Sequence, residues 1–163
     1  MTDKASFTPD EWAALLSSPL LAGMAVTVAE PSGLWRMLQE GMASARAMLE
    51  AKSASGSTLA KSIAEELSTS QGRSVAQQAL KARVVGKSTA EVKQQIVASL
   101  KAVGDLADQK AKDDAPAFKA WLTHIAQAVA EASTEGGFLG FGGVSVSDAE
   151  KATLAEVAAA LKQ

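Results

Sequence analysis

The sequence predicts an all-α fold, a single-domain bundle of about six or seven helices over residues 1–163. Alanine fills 34 of the 163 positions and tyrosine none, a composition that favours helix over sheet. Apolar residues recur every three or four positions, and no stretch alternates with period two long enough to indicate a strand. A chain of this length buries a core of its own, so one domain is expected.

Helix-start signals and apolar spacing place seven helices at about residues 8–29, 33–52, 59–67, 72–86, 88–111, 114–132 and 147–161. The first opens with a cap at Thr8, proline at the next position and Glu11 three residues after the cap. A bend is expected at Pro19. The same capping pattern recurs at two later starts, in Ser88 with Glu91 and in Ser147 with Glu150.

The residues expected to face inward follow the helical repeat. In the second to seventh helices they are Trp35, Leu38, Met42, Ala45 and Leu49; Leu59, Ile63 and Leu67; Val75, Ala79 and Val84; Val92, Ile96, Leu100, Val103 and Leu106; Phe118, Leu122, Ile125, Val129 and Ala132; and Leu154, Val157 and Leu161.

Aromatic residues are confined to the two ends of the chain. None lies between Trp35 and Phe118. Because large aromatic side chains tend to pack together, residues 1–35 and 118–163 are expected to form the aromatic-containing core. The N- and C-terminal helices should then pack together, with the first and sixth helices central, while residues 36–117 form slimmer helices rich in Ala, Ser and Lys.

Composition excludes several classes of site. The chain has no cysteine and one histidine, which excludes thiolate metal sites, disulfides and histidine-rich metal centres, and no cofactor is expected. The net charge of −2 argues against nucleic-acid binding. Residues 73–101 carry six basic residues against one acid; a solvated face explains them better than an anionic partner does.

Membrane insertion and secretion are not predicted. Between Glu11 and Glu30 lie eighteen uncharged residues, which only just reach the length of a membrane-spanning helix. They include Ser17, Ser18 and Pro19 and have acidic flanks, so we interpret them as a buried central helix with no membrane span. No signal peptide is recognised, and a cytoplasmic location is expected.

The glycine-rich segment 136–143 (GGFLGFGG) is the most unusual part of the sequence. Glycine loops before helix starts can bind phosphate, but the strand and spacing of known phosphate loops are missing. A shaped interhelical loop is the favoured interpretation. Contact of Phe138, Leu139 and Phe141 with an apolar ligand or a partner is the alternative, and an anion site comes third.

Catalytic residues are not recognisable. His124 lies three residues after Trp121 and seven before Glu131, a spacing that places His124 and Glu131 on one side of a helix. No Glu-x-x-His motif is present, so a structural histidine is favoured over a metal ligand or an acid–base pair. The adjacent pairs Glu65–Glu66 and Asp113–Asp114 point in different directions on a helix and do not form dyads.

Two blocks of sequence resemble a group of small bacterial helical proteins of unassigned function. The first comprises residues 7–12 (FTPDEW), 19–26 (PLLAGMAV) and 31–35 (PSGLW). The second comprises residues 117–121 (AFKAW), 135–143 (EGGFLGFGG) and 146–147 (VS). The resemblance implies a bacterial, cytosolic origin and brings no active site with it.

The expected function is that of a non-enzymatic interaction or scaffold protein that self-associates through an apolar helix face. The expected partner is therefore a second copy of the chain or another protein. The alternative is a carrier of an apolar or acyl small molecule in the bundle interior, with segment 136–143 as its lid. Trp121, His124, Phe138, Leu139 and Phe141 are the predicted contact residues. An enzyme that uses His124 is the third hypothesis.

Overall fold

The computed structural model describes residues 4–28, 56–135 and 148–162, with side chains to residue 130 in the second stretch. These residues form a short 3-10 turn, Lys4–Ser6, and six α-helices, and none of them lies in a strand. The helices are α1 (Pro9–Val28), α2 (Thr58–Ser68), α3 (Ser70–Val84), α4 (Thr89–Lys110), α5 (Ala115–Glu135) and α6 (Asp148–Ala160).

The all-α prediction is confirmed, and so is the packing of the N- and C-terminal helices. Helix α1 packs against both α5 and α6 as well as against α2, α3 and α4. The predicted helix over residues 33–52 and the loop over 136–143 lie outside the described residues. The middle of the chain also contributes to the core, since Leu59, Ile63, Ile96 and Leu100 are fully buried.

Local capping explains where the helices begin. Thr8 and Glu11 form a capping box before α1, in which each residue's backbone N–H donates to the other's side chain. Ser88 and Glu91 form the same box before α4. Helix α2 begins differently: besides its own cap, its first N–H groups, on Thr58 and Leu59, donate to the carboxylate of Asp114 from the turn before α5.

The predicted inward face of α3 is partly correct. Its buried residues are Gly72, Ala76 and Leu80, whereas Val75, Ala79 and Val84 are half-buried, and the two valines pack against the edge of the core. The helix also starts before Gly72, at Ser70. The α2–α3 junction is closely packed, since a Cβ on Gly72 would lie 2.0 Å from the backbone oxygen of Glu66. Gly72, Ala76 and Leu80 therefore form the most buried row of α3, with Val75 and Val84 beside it.

The predicted inward residues of α2, α4, α5 and α6 are largely correct. All those on α2 are buried, and on α5 all are buried except Ala132, whose side chain is not described. Leu106 on α4 and Leu154 on α6 are half-buried at the edge of the core. The periodicity thus identifies the buried face but not how far that face extends.

Helix α1 occupies the centre of the bundle and is buried on most sides. Twelve of its twenty residues are buried, including Ser17, Ser18 and Pro19 in succession. The hydroxyls that this burial removes from water bond within the helix: Ser17 donates to the Ala14 carbonyl at 2.9 Å, and Thr27 to the Met24 carbonyl at 3.0 Å. Polar groups inside α1 are therefore satisfied without other helices.

Helix α1 continues through Pro19 because a neighbouring hydroxyl replaces the missing donor. Proline has no N–H, so the Leu15 carbonyl, four residues earlier, loses its usual helical partner. The Ser18 hydroxyl donates to that carbonyl at 2.7 Å. Both residues are fully buried, so no water needs to reach the carbonyl. The pair Ser18–Pro19 acts as a unit.

This unit predicts an unusual double-mutant cycle. Substitution S18A should lower the free energy of unfolding by about 1–3 kcal/mol, because it leaves the buried Leu15 carbonyl without a donor. In a P19A background, S18A should lower the free energy of unfolding much less, since alanine in place of the proline restores the backbone N–H that bonds the Leu15 carbonyl. Substitution S17A is the matched control and should cost little, because the Ala14 carbonyl keeps its helical partner. Urea unfolding measures all four variants; an equal cost of S18A in both backgrounds would contradict the account.

Candidate functional site

Of the five predicted contact residues, the structure describes two, Trp121 and His124, both on α5. Phe138, Leu139 and Phe141 lie outside the described residues. Trp121 is 2% exposed, whereas His124 is exposed. Although they are one turn apart on the helix, the two side chains occupy different environments, and only Trp121 reaches the interior.

Trp121 lies in an apolar part of the interior. Its ring centre is 6.1 Å from that of Phe118, and Ile125 is buried one turn further along α5. The indole Nε1–H is buried, and it is the single buried side-chain group among the described residues that has no hydrogen-bond partner. A buried donor left without an acceptor costs about 1–3 kcal/mol, so this atom requires an explanation.

Trp12 shows how the same side chain is satisfied elsewhere in the bundle. It is 3% exposed, and its Nε1–H donates to the Glu66 carboxylate at 2.8 Å. Lys4 donates to the other oxygen of Glu66 at 2.7 Å. The Trp12 ring lies 5.9 Å from that of Phe7. Of the adjacent carboxylates Glu65 and Glu66, Glu66 thus forms a structural contact between α1 and α2.

His124 is exposed on α5, and the side chain of Glu131, its predicted partner, is not among those described. Within the described part of the chain, no group of three or more histidine, aspartate or glutamate side chains is arranged to hold a metal ion. In the other adjacent carboxylate pair, Asp114 caps α2 and Asp113 is exposed. The described side chains thus form no metal-binding cluster, and the predicted His124–Glu131 pair lies partly outside them.

The charged residues of α4 join it to three other helices. The pairs are Lys110 with Glu11 of α1 at 2.6 Å, Asp108 with Lys119 of α5 at 2.6 Å, Lys93 with Glu156 of α6 at 3.0 Å, and Asp105 with Lys162, just after α6, at 2.7 Å. Sequence reasoning did not find these partners, because they lie 11 or more positions apart in the chain and no local pattern connects them.

Lys119 is the most deeply placed of these cations. Only 7% of the residue is exposed, and its Nζ donates to both oxygens of Asp108. Its side chain passes beside Gly104, where an added Cβ would be 3.7 Å from the lysine Cε. A buried ammonium group requires a paired carboxylate, so the Lys119–Asp108 contact fixes α5 against α4.

Two of the ion-paired carboxylates have lowered pKa values. Hydrogen bonds from Lys101 first and Lys162 second lower the pKa of Asp105 from 3.8 to about 2. The Lys110 ammonium, followed by the Thr8 N–H, lowers the pKa of Glu11 below its usual value. Such shifts favour the ionised form. They make these groups stable ion-pair partners and poor proton donors at neutral pH.

The basic residues of segment 73–101 are mostly engaged within the protein. Arg73 donates to the carbonyls at the end of α2, and Arg83 to the Ser99 hydroxyl and the Ala79 carbonyl. Lys93 and Lys101 form ion pairs. Lys81 and Lys87 are exposed. Four of the six basic residues are therefore held by contacts within the protein.

Large apolar side chains are almost all buried or half-buried in the part of the chain that the structure describes. Among the described residues the one exposed large hydrophobic side chain is Val85, in the turn after α3. A search of the same residues for membrane spans finds only α1 long and apolar enough, and 67% of its most apolar stretch is buried in the bundle. That burial supports its interpretation as a core helix.

The comparisons with known proteins find no match for the chain. No protein-family model matches the chain, no curated protein matches it, and no solved structure matches it. The resemblance to small bacterial helical proteins therefore stays a prediction.

The Asp105 contacts predict a specific pH dependence. Because the folded-state pKa of Asp105 is lowered to about 2, its stabilisation is present above the ordinary value and is lost as pH falls through about 2. The free energy of unfolding of the wild type should exceed that of D105N by a constant amount above about pH 5, and the difference should shrink as pH falls toward 2. Urea unfolding at low ionic strength measures this.

Removing Lys101 tests the cause of that dependence. The Lys101 hydrogen bond lowers the pKa of Asp105 the most, so in K101Q the stabilisation should be lost at higher pH than in the wild type. A difference between wild type and D105N that does not change from about pH 5 to pH 2 would contradict the assignment.

Proposed function

We propose that this chain is a non-enzymatic helical interaction protein that self-associates as a scaffold. The observation that carries the proposal is how the described charged groups are used: those of α4 join α1, α5 and α6 into one connected frame. Ion-pair networks that hold helices together perturb charged groups without any catalytic role. A frame of connected helices suits the presentation of a surface to a partner.

The burial of the described helices limits which residues are available to bind a partner. Their large apolar side chains face the core, and among them only Val85 is exposed. An apolar contact through these faces is therefore not favoured. A partner that binds the described surface meets polar and charged residues such as Lys81 and Lys87, and such contacts tune specificity and association rate more than affinity.

The second candidate function, a carrier of an apolar or acyl molecule, is favoured by one observation. The indole N–H of Trp121 is buried without an acceptor in the described part of the chain. A ligand that supplies the acceptor would remove this cost. The expected lid, with Phe138, Leu139 and Phe141, lies outside the described residues, so this candidate rests on Trp121 alone. The cytoplasmic location and the bacterial origin stay predictions.

Native mass spectrometry of the gently purified protein distinguishes the two functions. For the scaffold, the expected species is an integer multiple of the 16.7 kDa chain with no additional mass. The same sample measured after denaturation is the control. A single chain without added mass would contradict self-association. A mass excess that disappears on denaturation would favour the carrier.

A further inference from the structure

We propose that the buried indole N–H of Trp121 donates a hydrogen bond to the neutral carbonyl oxygen of an apolar ligand, such as an acyl ester. This inference deepens the carrier function and rests on it. It concerns the one described residue that was predicted from the sequence as a ligand contact and that the structure places in the interior.

The two described tryptophans differ in a way that burial does not explain. Trp12 and Trp121 are 3% and 2% exposed. Trp12 has an acceptor at 2.8 Å, in Glu66, whereas Trp121 has none among the described residues. If Trp121 served only as apolar filling, its donor would cost free energy that a phenylalanine avoids. A bound acceptor gives the indole a role.

Helix α5 offers few partners for a water molecule beside this indole. A buried water typically makes about three hydrogen bonds and needs two to four polar partners. Of the positions one turn from Trp121 on α5, Ala117, Phe118 and Ile125 are apolar, and the fourth, His124, is exposed. An oxygen carried on an apolar molecule needs a single donor, and its remaining surface matches apolar surroundings.

The acceptor is expected to be uncharged. A buried carboxylate requires a cation beside it, and the buried cation of α5 is Lys119, whose Nζ is held by both oxygens of Asp108. Lys119 lies two positions before Trp121, about 200° around the helix, and so on the opposite side. This arrangement selects a neutral ester or ketone over a fatty acid anion.

Nuclear magnetic resonance of the indole groups tests the inference on the full chain. The protein has three tryptophans and hence three indole N–H signals, and the signal absent from W121F is that of Trp121. The probes are methyl octanoate, which has a neutral carbonyl, n-nonane, which has no acceptor, and octanoate, which is charged. Methyl octanoate should shift the Trp121 signal downfield in a saturable manner, and the other two should not.

Affinity measurements provide the matched comparison. Substitution W121F keeps an aromatic ring and removes the donor, so methyl octanoate should bind about tenfold more weakly while n-nonane binds as before. The control W12F makes the same change at the tryptophan that already has an acceptor, and it should leave the preference for methyl octanoate intact.

The remaining outcomes separate failure of the inference from failure of the carrier function. If methyl octanoate binds but the Trp121 signal does not move, the assignment of the indole is wrong and the carrier survives. If the signal of the ligand-free protein already shows a hydrogen bond and does not respond, the chain or a water supplies the acceptor, and the inference is wrong. If no probe binds, both the inference and the carrier function are overturned.

Discussion

Burial of the apolar helix α1 is the constraint around which the other helices are arranged. From Trp12 to Val28 the helix carries no charged side chain, so it has no face that suits water. Each of the other five described helices packs against it, and the residues that they turn inward are those spaced at three and four. The hydrophobic effect therefore acts mainly through one segment, and the amphipathic helices α2 to α6 cover it.

Apolar burial around α1 is non-directional, and the polar contacts of α4 give the surrounding helices a defined arrangement. Apolar burial alone permits many orientations of small, alanine-rich faces. The ion pairs of α4 with Glu11, Lys119, Glu156 and Lys162 connect it to α1, to α5 and to α6 and its C-terminal end. Most of these contacts are partly exposed and are worth little individually. Their value lies in fixing which helices are neighbours.

The sequence predicts the elements of this fold better than their contacts. Caps such as Thr8–Glu11 and Ser88–Glu91 are local, so helix starts can be recognised without the tertiary structure. The burial of Gly72 at the start of α3 could not be recognised in this way, because it depends on how closely this residue approaches Glu66 of the preceding helix. The role of Ser18 could have been found: a serine directly before a proline inside a predicted helix can donate to the carbonyl that the proline leaves free.

The site could be predicted only in part, for a similar reason. Trp121 was among the predicted contact residues, but neither its burial nor the lack of an acceptor for its N–H among the described residues follows from spacing. His124 was selected as the only histidine, and its exposure depends on which side of α5 the neighbouring helices cover. Hydrogen-bond satisfaction is a property of the packed molecule, and a single sequence does not contain it.

Native-state hydrogen exchange tests most directly whether α1 is the central element. If the other helices are arranged around it, the amides from Leu20 to Val28 exchange only when the whole protein unfolds. Their opening free energy then equals the global value and falls with denaturant at the global slope. Exchange of α1 through a smaller opening, while α4 and α5 stay protected, would contradict this account.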